Sequence, residues 1–402
     1  MEYKIKTGYL IDGANPPKSN VLISIKNNKI IDVTENYNDK EKIINKIIDV
    51  KKYTVLPGLI DTHVHLTMSA EYMKGWEEWL EKEKNIILFK SVENARKLLL
   101  SGVTTARECG AYKNLGFLVK EGIEKKLVSG PRLLVSGSPI TVTGGHCHSM
   151  GLEVDNKTEL IKTVRALSKS GANFIKLMAT GGRLTPSSNE RRAQYSVEEI
   201  KAVVEEAHQR NMKVAVHALG TEGIINSVKA GVDTIEHCEW LGSVNGLDFR
   251  EDIVSEMVEK NIYVDPTLVY GSLNLYYKES FDKESRKYLE KMHRNGVKML
   301  AGDDAGIPGV GFDQLPKSIK LLVDEIGLTK YDAIKAATSE SARALGLDNE
   351  LGTIEKGKYA DLIITDGNPL DDIEALKRIV MIIKNGDVVF QDNTIEHIYS
   401  NL

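Results

Sequence analysis

Apolar and polar residues alternate in short runs at both ends of the chain. Residues 20–25 form such a run before a stretch of turn residues, and residues 379–383 form another near the C-terminus. Alternation with a period of two, broken by Asn, Gly and Asp, is typical of β-hairpins. The two ends therefore predict one small β-sandwich domain that combines residues 1–56 with residues 349–402.

Between residues 57 and 348 the pattern changes to short apolar runs that alternate with helix-length amphipathic stretches. One such stretch begins at Ser196, and Glu199 follows it at the spacing of a helix-capping box. Strands that alternate with helices are typical of βα units and a parallel sheet. Eight strands are predicted, at residues 59–65, 103–107, 132–135, 174–178, 213–217, 233–237, 262–264 and 297–301. Eight βα repeats in about 290 residues predict an α/β fold, the (β/α)8 TIM barrel.

The overall composition is that of an ordinary folded protein. Of the 402 residues, 42% are hydrophobic and 27% are charged, which excludes a mostly disordered chain. The 53 Lys and Arg residues nearly balance 57 Asp and Glu residues, so the net charge of -4 favours neither nucleic acid nor a membrane as a partner. Widely spaced cysteines and the lack of a signal-type apolar segment predict a cytoplasmic protein.

Side chains with metal-binding or acid–base chemistry follow several of the predicted strands. His63 and His65 stand two residues apart at the end of the first strand, so both imidazoles point to the same face. The other candidates lie in or after the fourth, fifth, sixth and eighth strands: Lys176, His217, His237 and Asp304. Because such barrels place their active sites at the carboxyl ends of the strands, the six side chains predict one metal site. Imidazole and carboxylate ligands suit zinc or a similar divalent ion.

Lys176 is the one candidate that cannot bind a metal ion as an ammonium group. A lysine desolvated between Ile175 and Leu177 is expected to have a lowered pKa. Its neutral amine can react with carbon dioxide to form a carbamate, whose two oxygens can bridge two metal ions. Two ions about 3.5–4 Å apart would activate a bridging water near neutral pH. We therefore predict two divalent metal ions, with zinc as the expected metal, and a carbon dioxide-derived carbamate on Lys176.

The ordered motifs of the chain resemble those of the amidohydrolase superfamily. The matching segments, in chain order, are PGLIDTHVH (57–65), GVTTAR (102–107), IKLMATGG (175–182), HALG (217–220), IEH (235–237), GDDAG (302–306), AAT (336–338) and KGKYADL (356–362). The likeness covers nearly the whole chain. It is strongest to imidazolonepropionase-like amidohydrolases and to the metal-dependent, prolidase-like Xaa-Pro and Xaa-Arg dipeptidases with a carboxylated lysine. The resemblance implies a metal-dependent hydrolase that acts on C–N bonds.

The resemblance also implies a role for each candidate ligand. One metal ion, the more buried, would be held by His63, His65 and Asp304. The outer ion would be held by His217 and His237, with the carboxylated lysine between the two ions. Asp304 would in addition take a proton from the attacking water and deliver it to the leaving amine, as general base and then general acid.

Four further residues are predicted to contact the substrate. His146, in the Gly-Gly-His loop after the third strand, resembles a family residue that polarises the scissile carbonyl. Arg183 and Arg191 belong to the loop after the fourth strand, and one arginine of this loop could clamp a substrate carboxylate. Tyr270 is the candidate for a hydrogen-bond donor near the outer metal ion.

These features predict a prolidase- or carboxypeptidase-like enzyme that cleaves an amide or peptide bond in a dipeptide or N-acyl amino acid. Gly220 stands where the deaminases of the superfamily usually carry glutamate, so deamination of an aromatic base is disfavoured. Hydrolysis of a lactone, or of another cyclic amide or ester, is the alternative. A non-enzymatic scaffold is disfavoured because every candidate ligand is in place. The expected partner is a small-molecule substrate, and the resemblance implies a homo-oligomer.

Overall fold

The computed structural model of the protein describes residues 2–37, 46–71, 76–185, 187–271 and 279–393, without the side chains of residues 76, 270–271 and 279–283. The strands are β1 (Glu2–Leu10), β2 (Lys18–Lys26), β3 (Lys29–Glu35), β4 (Lys46–Pro57), β5 (Leu59–Val64), β6 (Val103–Glu108), β7 (Arg132–Val135), β8 (Ile140–Thr141), β9 (Leu152–Glu153), β10 (Phe174–Met178), β11 (Lys213–Gly220), β12 (Thr234–Leu241), β13 (Tyr263–Asp265), β14 (Leu362–Thr365), β15 (Ile379–Lys384) and β16 (Asp387–Gln391). The helices are α1 (Trp76–Leu80), α2 (Lys84–Leu100), α3 (Leu115–Glu124), α4 (Lys157–Lys169), α5 (Val197–His208), α6 (Thr221–Ala230), α7 (Glu251–Glu259), α8 (Leu268–Gly271), α9 (Glu279–Arg294), α10 (Leu315–Asp324), α11 (Lys330–Ala336) and α12 (Ser339–Ala344). None of the helices in these ranges has the length and apolar character needed to cross a membrane.

Strands from both ends of the chain form one seven-stranded sheet, in the order β16-β15-β14-β4-β1-β2-β3. β1 pairs antiparallel with β2 and parallel with β4, and β14 joins the C-terminal strands to β4 by pairing Leu362 with Pro57. A separate apolar core, which includes Ile5 and Ile383, holds this sheet together. The sheet confirms the predicted β-rich domain formed from both termini, while the domain boundaries stay predictions.

Parallel strands surround a second and larger core. β5, β6 and β7 form one parallel group, and β10, β11, β12 and β13 form another, with β8 and β9 beside β10. The backbone amide of Asn173 donates a 2.8 Å hydrogen bond to the carbonyl of Val135, which links β7 to the start of β10. The two groups therefore lie side by side as seven consecutive positions of a barrel.

The eighth predicted strand, residues 297–301, is shorter in the structure than its apolar run suggests. In the described part of the chain it has a single parallel bridge, which pairs Met299 with Val264 of β13. A little further along, Ala305 forms a parallel bridge with Val64 of β5. These two bridges close the ring, and the arrangement confirms the predicted (β/α)8 barrel.

The barrel strands are buried on both faces, as expected for parallel strands covered by helices. Every residue of β5, β6 and β10 is buried. The helix α5 begins with the predicted capping box, in which the Ser196 amide donates to the Glu199 carboxylate at 2.9 Å. Polar side chains near the carboxyl ends of these strands are consequently enclosed by protein on most sides.

Candidate metal centre

The six predicted ligands line one cavity at the carboxyl ends of the barrel strands. The imidazole centroid of His63 lies 5.2 Å from that of His65 and 5.4 Å from that of His237. The centroids of His217 and His237 are 4.7 Å apart. The Oδ1 atom of Asp304 lies 3.4 Å from Nε2 of His63 and 3.3 Å from Nε2 of His65. The structure thus brings side chains from distant parts of the sequence within the distance that one metal centre spans.

Two of these ligands, His237 and Asp304, have an unusual backbone conformation. Their φ angles are +68° and +60°, in the left-handed region that residues other than glycine rarely adopt. The pairing of β11 with β12 also shifts register between Ala218 and Gly220, just where His237 lies. Such irregularities redirect side chains and persist at sites where the surrounding fold holds them. The backbone here is shaped to aim these two side chains into the cavity.

His63 and His65 both present Nε2 toward Asp304. Nδ1 of His63 lies 2.8 Å from Oε2 of Glu236, and Nδ1 of His65 lies 3.2 Å from the carbonyl oxygen of Gly110. A ring that donates its Nδ1–H to such an acceptor keeps a lone pair on Nε2, which is the form that binds a metal ion. The ligand atoms of His63, His65 and Asp304 lie within 4.8 Å of one another, as a shared ion requires.

Glu236 is held in turn by a buried arginine. Oε1 of Glu236 accepts a 2.8 Å hydrogen bond from Arg107, which also donates to the Thr234 hydroxyl at 2.9 Å and to the Thr62 carbonyl at 2.6 Å. Arg107 and Glu236 are 1% and 0% exposed. This buried chain of contacts fixes the orientation of the His63 ring through its Nδ1 atom.

The other two histidines are oriented by different partners. Nε2 of His217 lies 3.0 Å from the carbonyl oxygen of Gly181, so its Nδ1 faces the cavity. Nδ1 of His237 lies 2.6 Å from the hydroxyl of Thr267, so its Nε2 faces the cavity. Each ring therefore has one nitrogen engaged by the protein and the other available to a metal ion.

Four of the imidazoles in the cavity, those of His63, His146, His217 and His237, are neutral at neutral pH. Burial, together with nearby positive charge such as that of Lys176, lowers the pKa of His63 and His217 well below the ordinary value. Burial likewise lowers the pKa of His237 to about 4 and that of His146 to about 3. Because only the neutral ring has a lone pair to donate, this environment favours metal binding.

Lys176 lies among these rings with its Nζ atom 3.5 Å from Nε2 of His63, and it is 1% exposed. A buried ammonium group needs a compensating anion, and neutral imidazoles supply none. Oδ1 of Asp304 has no hydrogen-bond donor among the described residues. A divalent cation would satisfy both the imidazole lone pairs and this oxygen, and a carbamate on Lys176 would complete the donor set. The residues present fit a metal centre.

Asp265, which the sequence analysis missed, connects the segments that carry several of the candidate ligands. It accepts hydrogen bonds from the Thr62 hydroxyl, from the Gly302 amide at 3.1 Å and from the Thr267 amide at 3.3 Å. These contacts tie β13 to the strand that carries His63 and to the segment before Asp304. Asp265 directly follows the seventh predicted strand, and a carboxylate at the end of a barrel strand is the sequence signal that could have identified it.

His146 stands beside the candidate metal ligands, with its ring centroid 4.4 Å from that of His217. The ring is buried, and its Nδ1 has no hydrogen-bond partner in the described part of the chain. Gly182 makes room for it, because a Cβ atom at that position would lie 2.5 Å from the ring. The backbone amide of His146 is fixed by a 3.0 Å hydrogen bond to the side chain of Gln194.

Arg183 lines the cavity and is engaged by two carboxylates. Two of its nitrogens donate to the carboxylate of Glu239, at 2.9 and 2.5 Å, and a third lies 3.0 Å from that of Glu190. The Arg183 guanidinium is thereby held as part of the cavity wall.

Arg191 lies outside the described lining of the cavity, and the side chain of Tyr270 lies outside the described residues. Arg191 donates to the carbonyl oxygens of Gly242 and Gly246, at 2.7 and 2.9 Å, and is not among the described lining residues. The backbone of Tyr270 belongs to α8, and its side chain lies outside the described residues.

A second arginine, which the sequence analysis did not single out, also lines the cavity. Arg286 extends from α9, as do Ser285 and Leu289, which line the cavity too. The Arg286 guanidinium forms an ion pair with Glu325 at the end of α10. No sequence motif marks these positions, because α9 reads as an ordinary charged amphipathic helix.

The chain is similar to known proteins in both sequence and structure. The model of the Amidohydrolase family matches residues 54–389. Ochratoxinase from Aspergillus niger is 28% identical to this chain over 93% of it and 83% of its own length. Imidazolonepropionase from Shewanella sediminis is 24% identical over 78% of each chain. The crystal structure of a Xaa-Pro dipeptidase with bound methionine in the active site is 30% identical, with a TM-score of 0.87, and covers 97% of this chain and 100% of its own.

These likenesses confirm the family resemblance that the sequence motifs indicate. The family match covers most of the chain, including the barrel and every candidate ligand. The similar structure extends over both the barrel and the terminal sheet. The chain therefore belongs to the amidohydrolase family and is a hydrolytic enzyme that acts on C–N bonds.

Proposed function

We propose that the enzyme hydrolyses the amide or peptide bond of a dipeptide or an N-acyl amino acid, with two divalent metal ions and zinc as the expected metal. The observation that carries this proposal is Lys176, which is buried and lines the same cavity as the four candidate histidine ligands and Asp304. As an ammonium group it opposes metal binding, whereas as a carbamate it supplies the anion that a pair of ions requires. The carboxylated lysine is part of the proposal.

Each metal ion has its own set of protein ligands. One ion is assigned to His63, His65 and Asp304, whose ligand atoms already face one another. His217 and His237 would hold the other ion, and a carbamate on Lys176 would supply an anionic ligand. When bound, the ions supply a hydroxide at neutral pH and polarise the carbonyl group of the substrate.

Asp304 is assigned the proton transfers. Burial acts to raise its pKa, but the neighbouring imidazoles of His63 and His65 outweigh burial and hold it below the ordinary value. The carboxylate is therefore ionised at neutral pH and would accept the proton of the attacking hydroxide. It returns that proton to the leaving amine as the C–N bond breaks.

His146 is assigned the polarisation of the scissile carbonyl. Since its pKa is lowered to about 3 by burial, the ring is neutral and carries a single N–H group at neutral pH. Donation of that N–H to the carbonyl oxygen would stabilise the negative charge that develops there. The buried Nδ1, without a partner among the described residues, is suited to this task.

The relatives support a substrate that yields a free amino acid. The similar Xaa-Pro dipeptidase holds methionine in its active site, and methionine is a free amino acid. Arg183, Arg191 and Tyr270 stay predictions as substrate contacts, and so do the homo-oligomeric state and the cytoplasmic location.

The function is tested by product analysis. The protein, reconstituted with zinc and bicarbonate, is incubated with dipeptides, N-acyl amino acids and lactones, and the products are identified by mass spectrometry. We expect cleavage of dipeptides or N-acyl amino acids, and we expect Asp304→Asn to lose roughly 100-fold or more in turnover. Asp313→Asn, an exposed position on the following loop, is the matched control and should keep full activity.

Two results would contradict the proposal. Turnover confined to lactones would show that the protein is a hydrolase but that its substrate is not an amide. Undiminished turnover by Asp304→Asn would show that Asp304 is not the general base.

A further inference from the structure

Cys147 directly follows His146 and lines the same cavity. Its Sγ atom lies 3.5 Å from Nε2 of His146, and the two atoms form a hydrogen bond. Both residues are buried, at 7% and 5% exposure. A thiol and an imidazole are thus in polar contact in the wall of the cavity that the candidate metal ligands also line.

The backbone holds this contact in a conformation that a cysteine rarely adopts. The φ angle of Cys147 is +55°, in the left-handed region. Its amide donates a 2.8 Å hydrogen bond to the hydroxyl of Thr185, and its carbonyl oxygen accepts one of 2.9 Å from the Gly151 amide. A strained conformation of this kind persists only where the surrounding structure holds it, and such conformations cluster at functional sites. The thiol is therefore anchored against the ring.

The hydrogen bond runs from the thiol to the ring. A thiol is protonated at neutral pH even at its ordinary pKa of about 8.5. Burial raises the pKa of Cys147 further, to about 12. Sulfur is a weak acceptor, whereas an unprotonated ring nitrogen has a lone pair, so the S–H group donates and Nε2 of His146 accepts. The Nε2 end of the ring also packs against Gly182, where an added Cβ would lie 2.5 Å from this nitrogen.

The contact at Nε2 determines which nitrogen of the ring carries the proton. A neutral imidazole has a single N–H group, and the hydrogen bond made by one nitrogen sets the state of the other. A ring that accepts at Nε2 is protonated at Nδ1, and Nδ1 of His146 has no hydrogen-bond partner in the described part of the chain.

We propose that Cys147 is a positioning residue, whose thiol keeps the proton of His146 on Nδ1 for donation to the carbonyl oxygen of the substrate. The use of that proton rests on the proposed function, whereas its position on the ring does not. The two parts of the inference therefore have separate tests.

The position of the proton is tested by magic-angle-spinning ¹⁵N NMR of the histidine-labelled, zinc- and bicarbonate-treated protein. Protonated and unprotonated ring nitrogens have distinct chemical shifts, and His146→Gln identifies the signals of this ring. We expect a protonated Nδ1 in wild type and in Cys147→Ser, which keeps a donor, and loss of this preference in Cys147→Ala. Serine and alanine carry a Cβ as cysteine does, so neither substitution relieves the left-handed backbone.

The use of the proton is tested by turnover of the amides that wild type cleaves. Cys147→Ala should lose roughly 3- to 10-fold in kcat, the usual contribution of one hydrogen bond, while KM and zinc content change little. Cys147→Ser should restore most of kcat. Ser149→Ala is the matched control, because it removes a small polar side chain from the same loop whose hydroxyl has no hydrogen-bond partner among the described residues. Its kcat should equal that of wild type.

The outcomes separate this inference from the function on which it rests. A ring protonated at Nε2 in wild type, or a proton that stays on Nδ1 in Cys147→Ala, would show that the thiol does not position it. A changed proton position with unchanged kcat would show that the reaction does not use this proton. If wild type cleaves no amide, the proposed function fails and the use of the proton fails with it, while the NMR comparison still determines whether the thiol positions the proton.

Discussion

The Nζ atom of Lys176 lies 3.5 Å from the Nε2 atom of His63, and both side chains are 1% exposed. A positive charge this close to a buried imidazole disfavours the protonated form of the ring. Accordingly, burial and the charge of Lys176 hold the pKa of His63 well below its ordinary value. Conversion of the lysine to a carbamate would turn this repulsion into attraction through a shared cation.

Lys176→Ala should lower the metal content of the purified protein below two ions per chain. Without the bridging anion, the remaining ligands hold the second ion less tightly, and turnover should fall with it. Zinc is measured by inductively coupled plasma mass spectrometry after dialysis. Lys213→Ala, at an exposed position on β11 where the lysine pairs with Asp233, should bind as much zinc as wild type. Two ions in Lys176→Ala would exclude the bridge.

Glu236→Gln should weaken metal binding at His63. The substitution removes the carboxylate that orients the His63 ring and leaves Arg107 with a buried charge that has lost its partner. Loss of a partner of this kind typically reduces metal affinity by about 10- to 100-fold. Competition with a chromogenic chelator measures the affinity, and Glu198→Gln, on the exposed side of α5, is the control. Equal affinity in Glu236→Gln and wild type would show that the orientation of His63 has other causes.

Gly182→Ala should displace the ring of His146. The added Cβ would lie 2.5 Å from that ring, closer than real contacts allow. We expect kcat to fall while zinc content is unchanged, because His146 is not one of the candidate metal ligands. In Gly122→Ala, within α3, the Cβ meets only a Val128 methyl group at 3.2 Å, and kcat should be unaffected. A normal kcat in Gly182→Ala would argue against a catalytic role for His146.

Glu108→Gln should change how stability depends on pH. Burial raises the pKa of Glu108 to about 8, against the opposing effect of the Gly110 and Leu66 amides. An unfolded glutamate has a pKa of about 4.3, so between about pH 4.3 and 8 the folded state binds the extra proton. Wild type therefore loses stability across this range as the pH rises, and the variant should lose less. Urea unfolding of the metal-free proteins at pH 5 and pH 8 measures the difference, and parallel curves for the two proteins would contradict it.

The local sequence pattern was sufficient to predict the parts of the site that lie along single strands. The predicted strand at residues 174–178 matches β10, which places Lys176 in the barrel interior. The spacing of His63 and His65 also sufficed to place both imidazoles in the same cavity. In both cases the period of a strand determines which way the side chains face.

Contacts between distant segments could not be predicted from local sequence patterns. His63 and its partner Glu236 are 173 residues apart, and Arg183 and Glu239 are 56 residues apart. Only the closed barrel brings such pairs together. The position of Arg286 likewise depends on how α9 packs against the cavity.

The eighth barrel strand shows that an apolar run does not by itself predict how long a strand is. Residues 297–301 are apolar enough to be taken for a full strand, yet the ladder with β13 consists of one bridge. Pairing between strands, and not the apolar run itself, determines the length of a strand. The chain then turns through Asp304 in a left-handed conformation, which no strand pattern predicts.

The central claim is that two metal ions are bound around a carboxylated Lys176. The most direct measurement is a crystal structure of the zinc- and bicarbonate-treated protein with anomalous diffraction at the zinc edge. We predict two anomalous peaks about 3.5–4 Å apart, with continuous density for a carbamate from Lys176 between them. A single peak at His63, His65 and Asp304, beside an unmodified lysine, would contradict the account.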